Sequence, residues 1–553
     1  MKIIQFLWRK SWSRLTLAFI ASIVGGVSSV SLIALLQRVI SGKWHAGYTL
    51  AYLFVALCIV VLFSRMASHL LLTHLSQRAT SQLVIQLCRQ IVATPLSKLE
   101  TIGGARLNAA LTDDVSILIT GLVTIPTVLT QGTVALLCFA YMFWLSPPMS
   151  GVVLLLVAAG GATIHYGMGR NRKYLRRAWG DRDQLFKHFR SLVEGIKELK
   201  LHRQRRYTFV EEEIPSAAES YERHNLRGTA AFHLGAGIAQ SLIYLAMALA
   251  VFCLPKWFGA GATAANGFII LLLYLIVPLE SLIYALPTVS RANLALKVLL
   301  DLQFSPEQHD PRDTSSITHP PQGAELLRLS RIRHTYQHGS QDHEFSLGPI
   351  DISIRRGELV FLVGGNGSGK TTLIKILTGL YVPDSGEIRL GTTLITDSNR
   401  EAYRQSFSVV FHDFHLFEKL IGLEQSDLDT RSQEYLSLLK LDHKVNTVAG
   451  RLSSLELSQG QRKRLALLVA CLEDRPIYVF DEWASDQDPV FKKFFYTEML
   501  PELICRGKTI VAISHDDHYY KAGSRLIKLV DGVIEFDGAV VNTTSLMSEA
   551  IPK

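Results

Sequence analysis

Clustered cysteine is missing from this chain. Its 6 cysteines, Cys58, Cys88, Cys138, Cys253, Cys471 and Cys505, form no CxxC pair and no group. That excludes a zinc ribbon or dithiol motif and gives no disulfide framework. They read as small buried hydrophobes in a reducing or lipid setting. Acidic residues are the minority charge: 48 Asp and Glu face 57 Lys and Arg, a net charge of +9. The basic excess is local, however. About fifteen Lys and Arg lie between Arg170 and Arg227, flanked by apolar blocks, as in a cytoplasmic loop under the positive-inside rule. A nucleic-acid partner is therefore not expected. Long apolar runs are absent beyond about residue 290, where short strand-like and helical patterns replace them. At 553 residues the chain is too long for one core. The asymmetry marks a membrane half followed by a soluble half.

A membrane span needs about 20 mainly apolar residues. Six stretches qualify: 15–40, 49–73, 117–145, 148–169, 230–255 and 265–287. The first follows a basic stretch, as a signal peptide would. Its apolar run continues through VSSVSLIALL with no A-x-A-like cleavage site, so it is read as a retained span. Lys2, Arg9, Lys10 and Arg14 precede it and hold the N-terminus in the cytoplasm. The loop LSPPMS lacks Lys and Arg and can cross, while the long loops 74–116 and 170–229 are basic and stay inside. A multi-pass protein with both termini cytoplasmic fits every loop. The inner loops carry apolar residues at helical spacing, so the spans are expected to extend into the cytoplasm as helix. Gly25, Gly26, Ser28, Ser29 and Ser31 suit close helix packing in the first span. Glu280, after Pro278 in LIVPLESLIYALP, is an ionisable residue inside a span; it either lines a substrate cavity or pairs within the bundle.

Ser305–Glu325 is rich in Pro, Ser, Asp and His and reads as linker, giving a transmembrane domain over 1–301, a linker over 302–325 and a soluble domain over 326–553. In ELVFLVGGNGSGKTTLIKIL, a strand, a glycine loop and a helix carry Gly364, Gly369, Lys370 and Thr371 in the full G-x-x-x-x-G-K-[ST] pattern. Glycines let backbone N–H groups close around phosphate oxygens, and the helix N-terminus favours the anion. The run Asn366, Gly367, Ser368 and Thr372 belongs to the same phosphate loop. Lys370 is expected on the β- and γ-phosphates and Thr371 on Mg2+. In IYVFDEWASDQD an apolar strand ends in Asp481 and Glu482. Asp481 stands where nucleotidases hold Mg2+, and Glu482 where they orient or deprotonate the attacking water. Two such close acids stay charged only beside cations, which Mg2+ and Lys370 supply.

With these motifs in place, the soluble domain resembles the nucleotide-binding domain of an ABC transporter over Leu326–Val541. LSQGQ (Leu457, Ser458, Gln459, Gly460, Gln461) is similar to the family signature LSGGQ, with glutamine at the third place. The resemblance implies that His515 is the switch histidine on the γ-phosphate, that SDQD, ending in Asp488, is the dimer-contact loop, and that Tyr336 stacks on adenine. His412 falls where the family has a glutamine that contacts Mg2+. An imidazole suits that hard cation poorly, so His412 acts through water, Asp413 substitutes, the contact is absent, or His412 only shapes its loop.

One six-span unit and one nucleotide domain make an exporter-type half-transporter: an all-α transmembrane domain followed by an α/β P-loop domain. The resemblance implies an ATPase coupled to transport, with ATP and Mg2+ as cofactors. A second copy of the chain would complete each site, placing Ser458 and Gly460 on the nucleotide held by the partner copy. Leu107–Ser116 resembles the coupling region that docks on the nucleotide domain. The runs GGNGSGKTT, DEWASDQDP and SHDDHYY resemble the cyclic-peptide and siderophore exporters, including the pyoverdine and syringomycin transporters and a lasso-peptide microcin exporter. That kinship implies a peptide or siderophore substrate and a bacterial inner-membrane location. No peptidase-like domain is read before the first span, so a leader-cleaving exporter is not expected. Two rivals stand beside this: a broad drug or lipid flippase of the same fold, and a receptor or regulator that uses ATP as a switch.

Overall fold

The computed structural model describes residues 12–40, 48–258, 262–301, 320–336, 345–423 and 427–540. The N-terminal residues Lys2, Arg9 and Lys10, most of the expected linker and the stretch after Val540 lie outside them. The chain divides into two compact units, Met1–Arg89 with Ala105–Gln303, and Gln90–Gly104 with Phe304–Lys553.

The first unit is all helix. Its long members are α1 (Trp12–Ile40), α2 (Tyr48–Val92), α3 (Val115–Leu145), α4 (Pro147–Glu194), α5 (Ile214–Phe252) and α6 (Ala262–Asp301). Among the described residues six helical stretches are long and apolar enough to cross a membrane. α2 has 45 residues and α4 has 48. At 1.5 Å per residue each exceeds twice the roughly 30 Å hydrocarbon layer, so both spans run on as helix into the basic loops, as the periodicity there implies. Shorter helices complete the loops, with breaks at Gly103, Gly195 and His202. Single π turns at Ala110–Asp114 and Phe209–Glu213 interrupt the inner ends of α3 and α5.

Small residues set the helix spacing. A Cβ on Gly25 would stand 3.0 Å from Ser64 Oγ on α2, and one on Gly26 would stand 2.7 Å from Leu137 Cδ1 on α3. The small face of α1 therefore meets two helices. Ser22 and Ser68 share a hydrogen bond of 2.7 Å across the same contact. α4 and α5 approach closest where a Gly167 Cβ would lie 2.6 Å from Ala231 O and a Gly235 Cβ 2.8 Å from Thr163 O. Large side chains such as Leu62, Phe63, Leu155 and Leu234 face outward, which suits a lipid solvent.

The second unit is α/β. An antiparallel sheet in the order β2-β1-β4-β5 is built from β1 (Glu325–Tyr336), β2 (Phe345–Arg355), β4 (Ser385–Leu390) and β5 (Thr393–Leu394). A six-stranded sheet comprises β3 (Leu359–Gly364), β6 (Phe407–Val410), β7 (Ile477–Asp481), β8 (Thr509–Ile513), β9 (Arg525–Val530) and β10 (Val533–Ala539), in the order β10-β9-β3-β8-β7-β6. Only β10 runs antiparallel. β7 and β8 are buried at every residue, as parallel strands covered on both faces are. Their register pairs Ile513 with Asp481 and with Leu362. The residues that follow β3, β7 and β8 therefore emerge together at the carboxyl edge of the sheet, where open α/β sheets place their ligands.

Gln90–Gly104 packs with this unit, through the short helix Leu96–Ile102. Leu96 lies on the apolar core. Glu100 pairs with Lys375 at 2.7 Å and accepts a hydrogen bond from the Tyr381 hydroxyl. Lys375 sits in the last turn of α7 (Lys370–Leu377), the helix that begins in the phosphate loop. Leu107–Ser116, expected to dock on the nucleotide domain, belongs to the first unit, and the part of the same loop that belongs to the second is Gln90–Gly104 with its helix Leu96–Ile102. Its sequence, LSKLETI, is too short and mixed to show amphipathic periodicity.

Candidate functional site

The phosphate loop is shaped by close backbone approaches. Gly364 has φ +154°, and a Cβ there would lie 2.3 Å from Leu529 O on β9. Gly369 has φ +97° and caps α7, a left-handed conformation that favours glycine. Gly365, Asn366 and Gly367 are exposed at the crest, Ser368 is buried, and Thr371 is exposed with Thr372 half-buried behind it. Lys370 is buried and donates from Nζ to Gly364 O and Gly365 O, 2.9 Å each. Burial pushes its pKa down, while the charges of Glu482 and Asp481 oppose that shift. All three therefore face one electrostatic pocket.

Asp481 ends β7 and is 2 % exposed. Burial, then the adjacent Glu482 charge, raises its pKa, and the His412 backbone N–H pulls it back. Its Oδ2 has no hydrogen-bond partner. A buried carboxylate oxygen left bare is costly unless a cation meets it, so the residues fit a divalent ion near Asp481 and Thr371. Glu482 adopts φ +50°, a sparsely populated region for a non-glycine residue and of the kind found at functional sites. The twist directs its carboxylate to His515, with Nε2 at 3.1 Å from Oε1. His412 lies on the opposite side, Nδ1 at 4.0 Å from Oε2, and is largely exposed. His412 thus touches the site through its backbone on Asp481 and its ring near Glu482.

The signature residues form a helix start. Ser458 caps α8 (Gln459–Glu473) with a reciprocal capping box to Gln461, which satisfies two end donors and leaves the others pointing outward. Gly460 allows close contact, since its Cβ would lie 2.7 Å from Asp486 O. Gln459 is exposed at the first helical position and Leu457 is half-buried before the cap. Tyr336 ends β1, opposite Phe345. Asp488 caps the next short helix and receives Arg464 at 2.6 Å.

Sequence reasoning missed the residue that joins these parts. Lys463, on α8, is fully buried. It donates to Glu482 O and Ser485 Oγ at 2.9 Å each and pairs with Asp486 at 2.7 Å. Its own carbonyl accepts Trp483 Nε1–H at 2.7 Å. In QRKRLALL a lysine reads as one more solvated basic residue. Its only signal was the presence of acids and hydroxyls in WASDQD for it to meet.

Comparisons with known proteins agree with this geometry. A family described as the ABC transporter matches residues 347–485, and one described as the ABC transporter transmembrane region matches 15–282. The ATP-binding protein SyrD of Pseudomonas syringae pv. syringae is 34% identical over 97% of this chain and 96% of its own length. An ATP-dependent lipid A-core flippase of Burkholderia pseudomallei is 24% identical over 88% of this chain and 82% of its own. A bacterial Atm1-family ABC exporter solved with ATP bound superposes with a TM-score of 0.75 at 17% identity, over 96% of this chain and 95% of that one.

Proposed function

The chain belongs to the ABC transporter family, and from that premise we propose that two copies of it pump a peptide-type substrate (a cyclic or lasso peptide, or a peptide siderophore) outward across the bacterial inner membrane. It is an ATP-binding, multi-pass exporter-type ATPase. Both termini lie in the cytoplasm in this reading. The observation that carries it is Glu482, held in a left-handed conformation against His515. A hydrolytic base serves a motor and is superfluous in a protein that only senses ATP, so the receptor reading has nothing to rest on.

Lys370 and the loop N–H groups bind the phosphates, with Tyr336 against the base. Thr371 and Asp481 would hold Mg2+, which supplies charge neutralisation on the phosphates when bound. Glu482 orients a water and accepts its proton at a carboxylate oxygen, and His515 keeps that carboxylate in place. Lys463 fixes the backbone of Glu482 from behind. Ser458, Gln459 and Gly460 present a capped helix start to the nucleotide of the partner copy. Glu100, bridging to the phosphate-loop helix through Lys375, carries the change toward the spans.

The substrate class rests on kinship in GGNGSGKTT, DEWASDQDP and SHDDHYY. The similarity to lipid A-core flippases favours lipid export as the second reading. ATPase activity in reconstituted vesicles separates the two. A peptide pump is stimulated several-fold by few members of a cyclic-peptide panel, whereas stimulation by lipid A and many unrelated amphiphiles would replace the peptide reading with the lipid one.

A further inference from the structure

α5 and α6 enclose a pocket of ≈ 10 Å³ within the membrane-spanning stretch, room for a group about the size of one water, and its one carboxyl is Glu280. Gln240, Tyr244 and Tyr284 provide the other polar groups, over a floor that includes Ile243 and Ile276. Glu280 is half-buried. Among the described residues no Lys, Arg or His pairs with it, whereas Arg65, another charge within the spans, is satisfied by the Tyr274 hydroxyl at 2.7 Å. Gln240 turns toward Tyr244 instead, at 3.5 Å. An unpaired carboxylate is disfavoured against lipid, so such residues face a cavity or a partner. The His233 ring lies against Tyr284, leaving Glu280 without a cation of its own.

A second cavity of ≈ 280 Å³ adjoins the first and shares Ile243 and Ile283 with it. It is lined by apolar side chains and glycine, among them Val128, Val157, Ile164 and Leu279. That volume falls below the roughly 300–1,000 Å³ of a whole-ligand site, so it admits one or two side chains or a short acyl segment. An acidic group beside a dry apolar recess is complementary to an amphiphile with a positive head.

We propose that Glu280, flanked by Tyr244 and Tyr284, is a subsite for a primary ammonium group, about the size of one water, of the exported peptide, whose neighbouring apolar side chain enters the adjoining cavity. Ion pairing to the carboxylate supplies the charge contact, and the tyrosine rings add cation–π attraction. The subsite rests on the peptide-export reading and narrows it to cationic amphipathic peptides.

The test uses the full-length protein in nanodiscs and a cyclic amphipathic peptide with ornithine side chains, beside its N-acetylated counterpart. The readout is the ratio of their half-stimulating concentrations for ATPase activity, taken within one preparation so that changes in yield or basal turnover cancel. In the wild type the ornithine peptide should act at about tenfold lower concentration, the effect of one well-formed charge contact. Glu280→Gln should bring the ratio to about one, and Glu280→Asp should keep most of the preference. A ratio that is equal in the wild type, or unmoved by Glu280→Gln, overturns the subsite and leaves peptide export standing. A wild type stimulated by neither peptide of this pair nor by any member of the cyclic-peptide panel overturns peptide export and the subsite with it.

Discussion

The two units bury different mixtures of side chains. In the nucleotide unit the largest fully buried side chains include Trp483, Tyr381, Tyr403 and Tyr478, and they pack a dense aqueous-style core. In the membrane unit α5 buries Gly228, Gly235, Ala236, Ala239, Ala246 and Ala250 with Phe232 and Ile243, while Leu226, Leu234 and Leu245 are exposed. Water drives large apolar groups inward in the first case. Lipid offers no such drive in the second, so backbone proximity and small residues decide the packing. A buried polar group consequently means different things in the two places. Ser22 and Ser68 satisfy one another and belong to the packing, whereas Asp481 keeps a bare oxygen and belongs to the chemistry.

The sharpest way to break this contrast is to alter chemistry without packing. Glu482→Gln keeps volume and removes the base, so ATP turnover should fall by about 10²–10⁴-fold, the range for general acid–base groups, while ATP binding persists. Turnover within a few-fold of wild type would show that the Glu482–His515 pair is structural. The complementary change alters packing without chemistry. Gly167→Val places carbon where Ala231 O already stands at 2.6 Å from a bare Cβ, and overpacking of this kind costs about 1–3 kcal/mol. The unfolding midpoint in detergent should drop by several degrees, with the nucleotide affinity of the surviving protein unchanged.

The same difference governs what could be read in advance. Gly364, Lys370, Asp481 and Glu482 could be named as candidates because phosphate chemistry demands fixed residue types at fixed spacing, and Ser458 because LSQGQ resembles the family signature. The six spans were legible because hydrocarbon thickness sets a length. The helix Leu96–Ile102 was not singled out, because nothing in LSKLETI distinguishes a contact from a loop. Lys463 was missed because its burial depends on acids from another strand-turn. The partners of Gly25 and Gly26 followed only from the packing, since small residues announce proximity without naming a neighbour.

The smallest expected effect probes the cost of keeping Asp481 ready. Its folded-state pKa is raised, first by burial and then by Glu482. Ionising it therefore opposes folding: the penalty is absent below the ordinary carboxylate pKa of 3.8, grows as pH rises from there to the raised folded value, and is constant above it. Asp481→Asn removes the charge with little change in shape. Without nucleotide or Mg2+, at neutral pH, it should stabilise the nucleotide unit by about 0.5–2 kcal/mol, the usual yield of relieving a functional-site compromise. The gain should shrink as pH falls and vanish below 3.8, where the carboxyl is protonated in the folded and the unfolded chain alike. Adding Mg2+ with ATP should reverse the ranking, because only the wild type offers the ion an anionic ligand. Thermal unfolding across pH, with and without Mg-ATP, measures all three. A variant less stable than wild type in every condition would mean that Asp481 holds the fold together rather than waiting for a cation.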